Sequence, residues 1–407
     1  MKKTNGTIKG KVEVEIGGVK YCGVIDLKPV IEKAKRGEYP VWGVRIDRVN
    51  AHPETSVEYI GDAEGYTPAN GTDAGSWAGN PIFAKIKPCL MKDGEVVAYL
   101  NPDNFNLLAD GQPAALRGYF DTMIEFGKMF YRISQDDHYT YVEVTDSDKS
   151  LADGFTDYAF SYKGKVRDKF YIGAYLGHID REGKLRSIIG QIPTGDKTLG
   201  AFRIAAQKNG DGYEILPFNK LTLLQVLYLI RYKSLNSQEA LGKGLTDSAE
   251  YGRTGDTDER GLYYGEQDAE TRVKCHGIED FWGNKLQWVD GFITNNKIAI
   301  SDGNFNDNGE GYKKVADLPK SIYGIMTDIY GDNLLGFVPK EADDDADPGE
   351  EYFCNYASTW TDTKGYVPCF GGSRSDGAYA GAFFFYCNSA SFASAHFGAR
   401  LVFCGKE

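Results

Sequence analysis

Residues 371–403 read GGSRSDGAYAGAFFFYCNSASFASAHFGARLVF. Between Gly365 and Ala399 only Arg374 and Asp376 carry a full charge. Nine aromatic side chains lie in the same span: Tyr366, Phe370, Tyr379, Phe383, Phe384, Phe385, Tyr386, Phe392 and Phe397. Alternation along 382–387 places Phe383 and Phe385 on one face of a strand and Phe384 and Tyr386 on the other. The alternation by itself leaves open which pair meets a core. Ser373, Ser375, Asn388, Ser389, Ser391 and Ser394 add polar, uncharged groups. Rigid aromatics among small adaptable polar residues have the composition of a recognition surface such as an antibody paratope. A buried strand pair is the competing reading of the same residues.

Upstream of this stretch the signals are local and short. Residues 7–27 alternate on either side of Gly17-Gly18, which predicts a hairpin. Residues 28–36 predict a short helix, and 41–49 a strand. Asn50 to Asn80 is rich in Gly, Thr, Asp and Pro and reads as a loop. Strands are expected at 82–86, 96–100 and 139–145, while 119–133 fits either helix or strand. Residues 221–233, LTLLQVLYLIRYK, give the clearest helix, with Leu223, Leu224, Leu227 and Ile230 at helical spacing. The acidic run 341–351 reads as a solvated loop; its residues lack the ligand spacing of a calcium loop.

Composition narrows the classes. Gly is 49 of 407 residues, about 12% against a usual ~7%, and aromatics are 13%. Together they favour short strands and many tight turns over long helices. The net charge of −12 disfavours nucleic-acid binding through a basic face. The longest apolar stretch, 221–230, is far shorter than a membrane span and contains Thr222 and Gln225. No secretory signal follows Met1-Lys2-Lys3, and the seven cysteines form no CxxC pair. They are expected to be reduced thiols made in a cytoplasm, with no structural zinc. The five histidines show no HExxH or HxH spacing, and no nucleophile elbow is present.

The fixed letters of the C-terminal stretch carry a resemblance. Gly371-Gly372, Gly377-Ala378, Ala380-Gly381, Phe383 and Phe397-Gly398-Ala399-Arg400-Leu401 resemble the variable region of the C-type-lectin-like proteins diversified by retroelements, a class that includes phage tail-tip receptor-binding proteins. GIEDFWGNKLQWVDG (277–291) resembles a signature of phage and prophage proteins of that fold. Residues 41–47, 52–69, 163–187 and 222–244 are similar to the same family.

The resemblance implies an α+β, C-type-lectin-like (formylglycine-generating-enzyme-like) fold, with small twisted sheets and long irregular loops. It covers 41–407 as one lectin-like domain, with 399–404 a buried strand and 360–403 the variable region. Residues 1–40 would be an N-terminal β segment for attachment or oligomerisation. The function implied is that of a phage or prophage tail-tip or fibre protein binding a bacterial surface receptor, protein or glycan. Other tail proteins would be partners, and a homo-oligomer such as a trimer is the expected assembly. The chain would be made in the bacterial cytoplasm and reside in the virion tail.

The ligand-binding residues implied are Ser373, Arg374, Ser375, Asp376, Tyr379, Phe384, Tyr386, Asn388, Ser389, Phe392, Ser394 and His396. Most of these should be exposed on one continuous surface. Glu279, Trp282 and Asp290 would tie loops together. The same fold includes copper oxidases with two closely spaced cysteines before the G-x-R motif. Here Cys387 stands alone, so no copper, no other cofactor and no catalysis are expected. The calcium motifs of sugar-binding lectins are absent from the sequence. A decoration protein of the same fold that binds a protein partner, and an unrecognised enzyme, are the alternative readings.

Overall fold

The helix Phe218–Tyr232 is buried along all fifteen residues, not on one stripe. The apolar positions extend around the whole cylinder, and polar side chains find partners inside. Gln225 donates from Nε2 to the Ala382 carbonyl (2.9 Å), and Thr222 donates to the Phe218 carbonyl (3.3 Å). A helix surrounded in this way is the centre of a core and not its lid. It contacts strands Trp42–Asp47, Tyr139–Thr145 and Gly381–Asn388. Lys233, in the left-handed region, ends it.

The computed structural model describes residues 9–16, 19–26, 39–362 and 365–406, the first two segments as backbone only. Lys9–Ile16 and Val19–Asp26 pair antiparallel with Ile16 opposite Val19, the hairpin read from the alternation. The Gly17-Gly18 turn, the helix expected over 28–36 and the Cys22 side chain lie outside the described residues.

The remainder is mostly small sheets with few helices. An antiparallel six-stranded sheet runs in the order Tyr213–Ile215, Leu401–Phe403, Lys169–Gly173, Asp121–Gly127, Ile86–Lys92, Glu95–Tyr99. A mixed seven-stranded sheet runs in the order Pro339–Asp343, Ile322–Ile329, Tyr356–Thr359, Gly381–Asn388, Val367–Gly371, Leu286–Trp288, Phe397–Gly398. Leu401–Phe403 is a fully buried inner strand, as expected of GARLVF. Buried residues from Trp42 to Cys404 form one large hydrophobic cluster. A second cluster takes residues from both large sheets and from the helix Leu199–Gln207.

Several local readings change. Residues 119–133 hold two strands, Asp121–Gly127 and Phe130–Gln135. Residues 82–86 are not a strand: Asn80 Oδ1 accepts from the Ile82 amide (3.0 Å), a tight turn forms at Phe83–Lys85, and the strand begins only at Ile86. The supposed loop 50–80 contains the strand Val57–Gly61, paired with Trp42–Asp47. Leu199–Gln207 is a helix that periodicity did not single out; Thr198 caps it by accepting from the Ala201 amide (3.2 Å). Part of the acidic run lies in an edge strand, Pro339–Asp343. The six described cysteine side chains are free and buried.

A buried polar framework joins the two large sheets. Arg400 is 1% exposed. Its guanidinium donates to Gln287 Oε1 (2.9 Å) and to the carbonyls of Gly173 (3.0 Å), Glu279 (2.8 Å) and Asp280 (3.1 Å). Burial pushes Arg400 down to about 10, which still leaves it cationic at neutral pH. The Glu279 carboxylate accepts from the Gly255 and Thr257 amides (2.8 Å each) and from the Thr257 hydroxyl (2.7 Å). Asp280 pairs with Arg272 and accepts from Asn284 (2.7 Å). Trp282 Nε1 donates to the carbonyls of Gly242 (3.1 Å) and Lys243 (3.2 Å). Asp290 pairs with Arg203 (2.6 Å). Glu279, Trp282 and Asp290 therefore tie loops to the core.

The fork of Arg400 serves a fixed set of buried acceptors. Arg400→Met strands four of them, each costing roughly 1–3 kcal/mol when left unpaired. We expect a loss of at least about 3 kcal/mol in urea unfolding. Arg400→Lys should recover only part of it, because an ammonium lacks the planar fork. A loss below about 1 kcal/mol for the Met variant would rule out this role.

Candidate functional site

The segment 377–383 is held by side chains that bond its backbone. Gln238 Nε2 donates to the carbonyls of Gly377 (2.8 Å) and Ala380 (2.9 Å). Asn355 donates to the Ala380 carbonyl (2.9 Å) and accepts from the Phe383 amide (3.0 Å). Ser237 Oγ accepts from the Ala382 amide (2.9 Å). Such close approach leaves no room for a Cβ at Gly381, where one would lie 2.5 Å from Asn355 Nδ2 and Ser237 Oγ. At Gly372 (φ +77°) a Cβ would meet that of Ala380 at 2.6 Å. Packing thus explains the small residues of the fixed motif, and they make a stiff base for the strand that continues from Gly381.

Strand Gly381–Asn388 runs between Tyr356–Thr359 and Val367–Gly371. Phe383 and Phe385 share the face toward the large cluster, the core side that the motif resemblance implied. The other face differs from expectation. Phe384 is 4% exposed and belongs to the second hydrophobic cluster with Cys369 and Trp288. The Tyr356 ring lies 6.2 Å from it, and with the cluster around it mid-strand Phe384 is core. Ser373 is likewise buried: its amide and hydroxyl (2.7 Å) both bond the Asp376 carboxylate, so it closes a turn. Neither is available as a surface contact.

Of the remaining ten, only Ser375, Tyr379 and Phe392 are exposed and the other seven are half-buried, fewer open side chains than expected because neighbours in local groups cover them. Tyr379, 44% exposed, and half-buried Tyr386 surround Tyr356, with ring centroids 5.9 and 6.5 Å from it. Asn388 reaches toward the Tyr386 hydroxyl (3.5 Å). Arg374 and His396 meet at Tyr251: the guanidinium carbon is 4.7 Å from the ring centroid and the imidazole centroid 6.0 Å. Phe392, 41% exposed, packs edge-on to Phe397 at 5.1 Å. Ser389 lies near it in the chain, half-buried, and bonds Ser391 (2.9 Å). Ser394 Oγ accepts from the His396 amide (3.3 Å). Ser375 is exposed and Asp376 half-buried.

Three members of the surface carry no mark in the candidate set. Tyr356 sits just before the variable span, in the alternating run YASTW. Tyr251 lies in a Gly-rich tract without periodicity, and nothing in the sequence flags it. Lys285 occupies a spacer position of the WGN…WVDG stretch. Its ammonium is 3.4 Å from the Tyr251 ring centroid and bonds the Ala395 carbonyl. Burial pushes it down to about 8, with Arg374 adding to that shift and Asp196 opposing it. Lys285 is itself 2% exposed, so the half-buried Arg374 guanidinium, with the Lys285 ammonium behind the same ring, marks this end of the site. Arg374 Nε and His396 Nδ1 are buried without a partner.

Chemistry at sulfur is disfavoured here. Burial raises the Cys369 and Cys387 thiols well above their ordinary range, so neither is poised as a thiolate. Among the described residues no group of three His, Cys, Asp or Glu is placed to hold a metal. No described helix is long and apolar enough to cross a membrane.

No family model matches the chain, and no curated protein matches it. Among solved structures the chain is similar to Major Tropism Determinant U1 Variant, at 11% identity and a TM-score of 0.25, covering 98% of this chain and 82% of that one. At this level of likeness, the site is read from its own side chains.

Lys285 is the tie between the surface loop 389–396 and the buried framework. In Lys285→Met, hydrogen exchange at the His396 and Phe397 amides should accelerate roughly tenfold, the worth of one charge-assisted hydrogen bond. The Phe383 amide, held by Asn355, should be unaffected. Unchanged exchange at all three would show that the loop does not depend on Lys285.

Proposed function

We propose that the chain is a phage or prophage tail-tip or fibre protein that binds a bacterial surface receptor through its C-terminal face. The observation that carries this reading is the exposure of Tyr379 and Phe392, with half-buried Tyr386 between them in the chain, beside backbone that buried side chains hold at 377–383 and at Ala395. Exposed aromatics on a stiff base lose little entropy on binding, which is how a paratope gains affinity. Tyr323, 53% exposed, and Trp360, 37% exposed, lie on or next to adjacent strands of the same sheet and extend the aromatic character. The motif resemblance of residues 371–401 and 277–291 supports the same reading.

The chemistry of the face suits a polar, partly anionic target such as a surface glycan or an acidic protein loop. Tyrosines offer flat apolar area with a hydroxyl, the serines and Asn388 offer hydrogen bonds, and Arg374, with the buried Lys285 behind it, offers positive charge. The lectin-like domain would span 41–407, and the N-terminal strand pair would attach it to neighbouring tail proteins or to copies of itself. Several copies on one virion would raise avidity without new contacts. The role is binding and not catalysis.

The test is binding of the labelled full-length protein to a panel of bacterial strains. A strain that binds the wild type should lose the Tyr379→Ser/Phe392→Ser variant, whose melting temperature should fall far less than that of a core variant because both rings lie at the surface. Phe384→Ser should instead unfold the protein, since a large-to-small core change costs roughly 3–5 kcal/mol. Full cell binding by the double variant, or its unfolding, would reject the surface as the receptor site.

A further inference from the structure

A second site lies elsewhere on the molecule and shares no lining residue with 365–403. A groove of about 970 Å³ opens between the segments 72–88, 99–109 and 259–263, with Arg231 from the last turn of the central helix at its base. The volume is that of a small-molecule cleft, roughly 300–1,000 Å³. Its walls are mainly apolar, with Phe83, Leu100 and Leu262 among them.

Arg231 is 4% exposed. Its guanidinium lies 3.7 Å from the Tyr263 ring centroid and 5.3 Å from that of Phe83. Among the described residues no carboxylate pairs with it; the Tyr232 side chain is its hydrogen-bond neighbour, and its Nε is buried without a partner. The other arginines of comparable burial each donate to a carboxylate or amide oxygen: Arg117 and Arg272 to aspartates, Arg203 to Asp290 and Arg400 to Gln287. The charge is felt nearby, since burial and then the Arg231 charge push His276 down to about 3. A helix C-terminus favours a cation there, and the ring stacking explains the position of the side chain. Neither supplies a carboxylate in the plane of the fork.

We propose that this groove binds a small monocarboxylate, with the acid group taken by Arg231 and a flat apolar body lodged against the Phe83 wall. A guanidinium fork matches a carboxylate in two parallel hydrogen bonds. The rim favours one negative charge over two: exposed Lys87 and Arg260 are balanced by exposed Asp103 and Glu259. A phosphate dianion would meet those acids with no net surplus of positive charge.

Benzoate serves as the probe, benzamide as its neutral counterpart and phenyl phosphate as the dianion, each titrated into the full-length protein by calorimetry or ligand-observed NMR. Benzoate should bind saturably and at least tenfold tighter than the other two. Arg231→Gln should abolish the preference for benzoate over benzamide. Exposed Ala84 lines the groove without bonding the ligand. Ala84→Trp should fill the groove and weaken benzoate at least tenfold with an unchanged melting temperature, which decides the matter should the Arg231 variant fail to fold. Equal binding of benzoate and benzamide, tighter binding of phenyl phosphate, no saturable binding, or an unaltered benzoate affinity in Ala84→Trp would each overturn the proposal. None of these outcomes depends on whether the C-terminal face binds cells.

Discussion

One guanidinium holds the two large sheets in register. Arg400 stands immediately before Leu401–Phe403, the strand partner of Lys169–Gly173, and donates to Gly173, Gln287, Glu279 and Asp280 at once. Three of those four acceptors are backbone carbonyls, so the arginine fixes the path of the chain and not merely side-chain positions. Its burial without a directly bonded carboxylate is costly in isolation. The cost is met by four hydrogen bonds and by the nearby Glu279 and Asp280 charges, which are themselves paired with Arg272. A framework of this kind tolerates little substitution, because removing any partner leaves the others unpaired.

The recognition surface is reached from that framework by short steps. Gln287 places strand Leu286–Trp288, which pairs with both Val367–Gly371 and Phe397–Gly398. The latter two flank the proposed binding face. Lys285, just before that strand, catches the loop 389–396 from below. On the other side Asn355, Ser237, Gln238 and Gln225 clamp 377–383. The exposed residues between those clamps are only partly packed, so their identity can change while the base stays as it is. That division between a clamped base and a partly packed face would suit the binding role proposed for it.

The helix Phe218–Tyr232 links this surface to the rest of the molecule through the same logic of complete burial. Gln225 at its middle bonds the recognition strand, and Arg231 at its end opens onto the separate groove. Polar residues in an otherwise apolar helix are expensive unless each has a task. Gln225 has one within the protein, whereas no described carboxylate answers the charge of Arg231.

Much of the base was legible in the sequence. The alternation of FFFY separated Phe383 and Phe385 from their neighbours, the apolar run at 221–233 announced the central helix, and the glycines at 372 and 381 mark places where a Cβ has no room. Glu279, Trp282 and Asp290 read correctly as ties because their types suit buried hydrogen bonding. What the sequence could not determine is which face of a strand meets solvent, since that depends on what packs over it. Phe384 and Tyr386 share a face and a periodicity; only the tertiary cover buries one and leaves the other half-open. Ser373 and Ser375 are the same residue two positions apart, and one closes a turn while the other faces water. Tyr251, Lys285 and Arg231 became site residues through neighbours distant in the chain, or through the absence of one. Local pattern specifies the elements because dihedral preference and periodicity act over a few residues. Exposure, ion pairing and the sharing of a site are set by contacts between remote segments, and those exist only once the sheets have met.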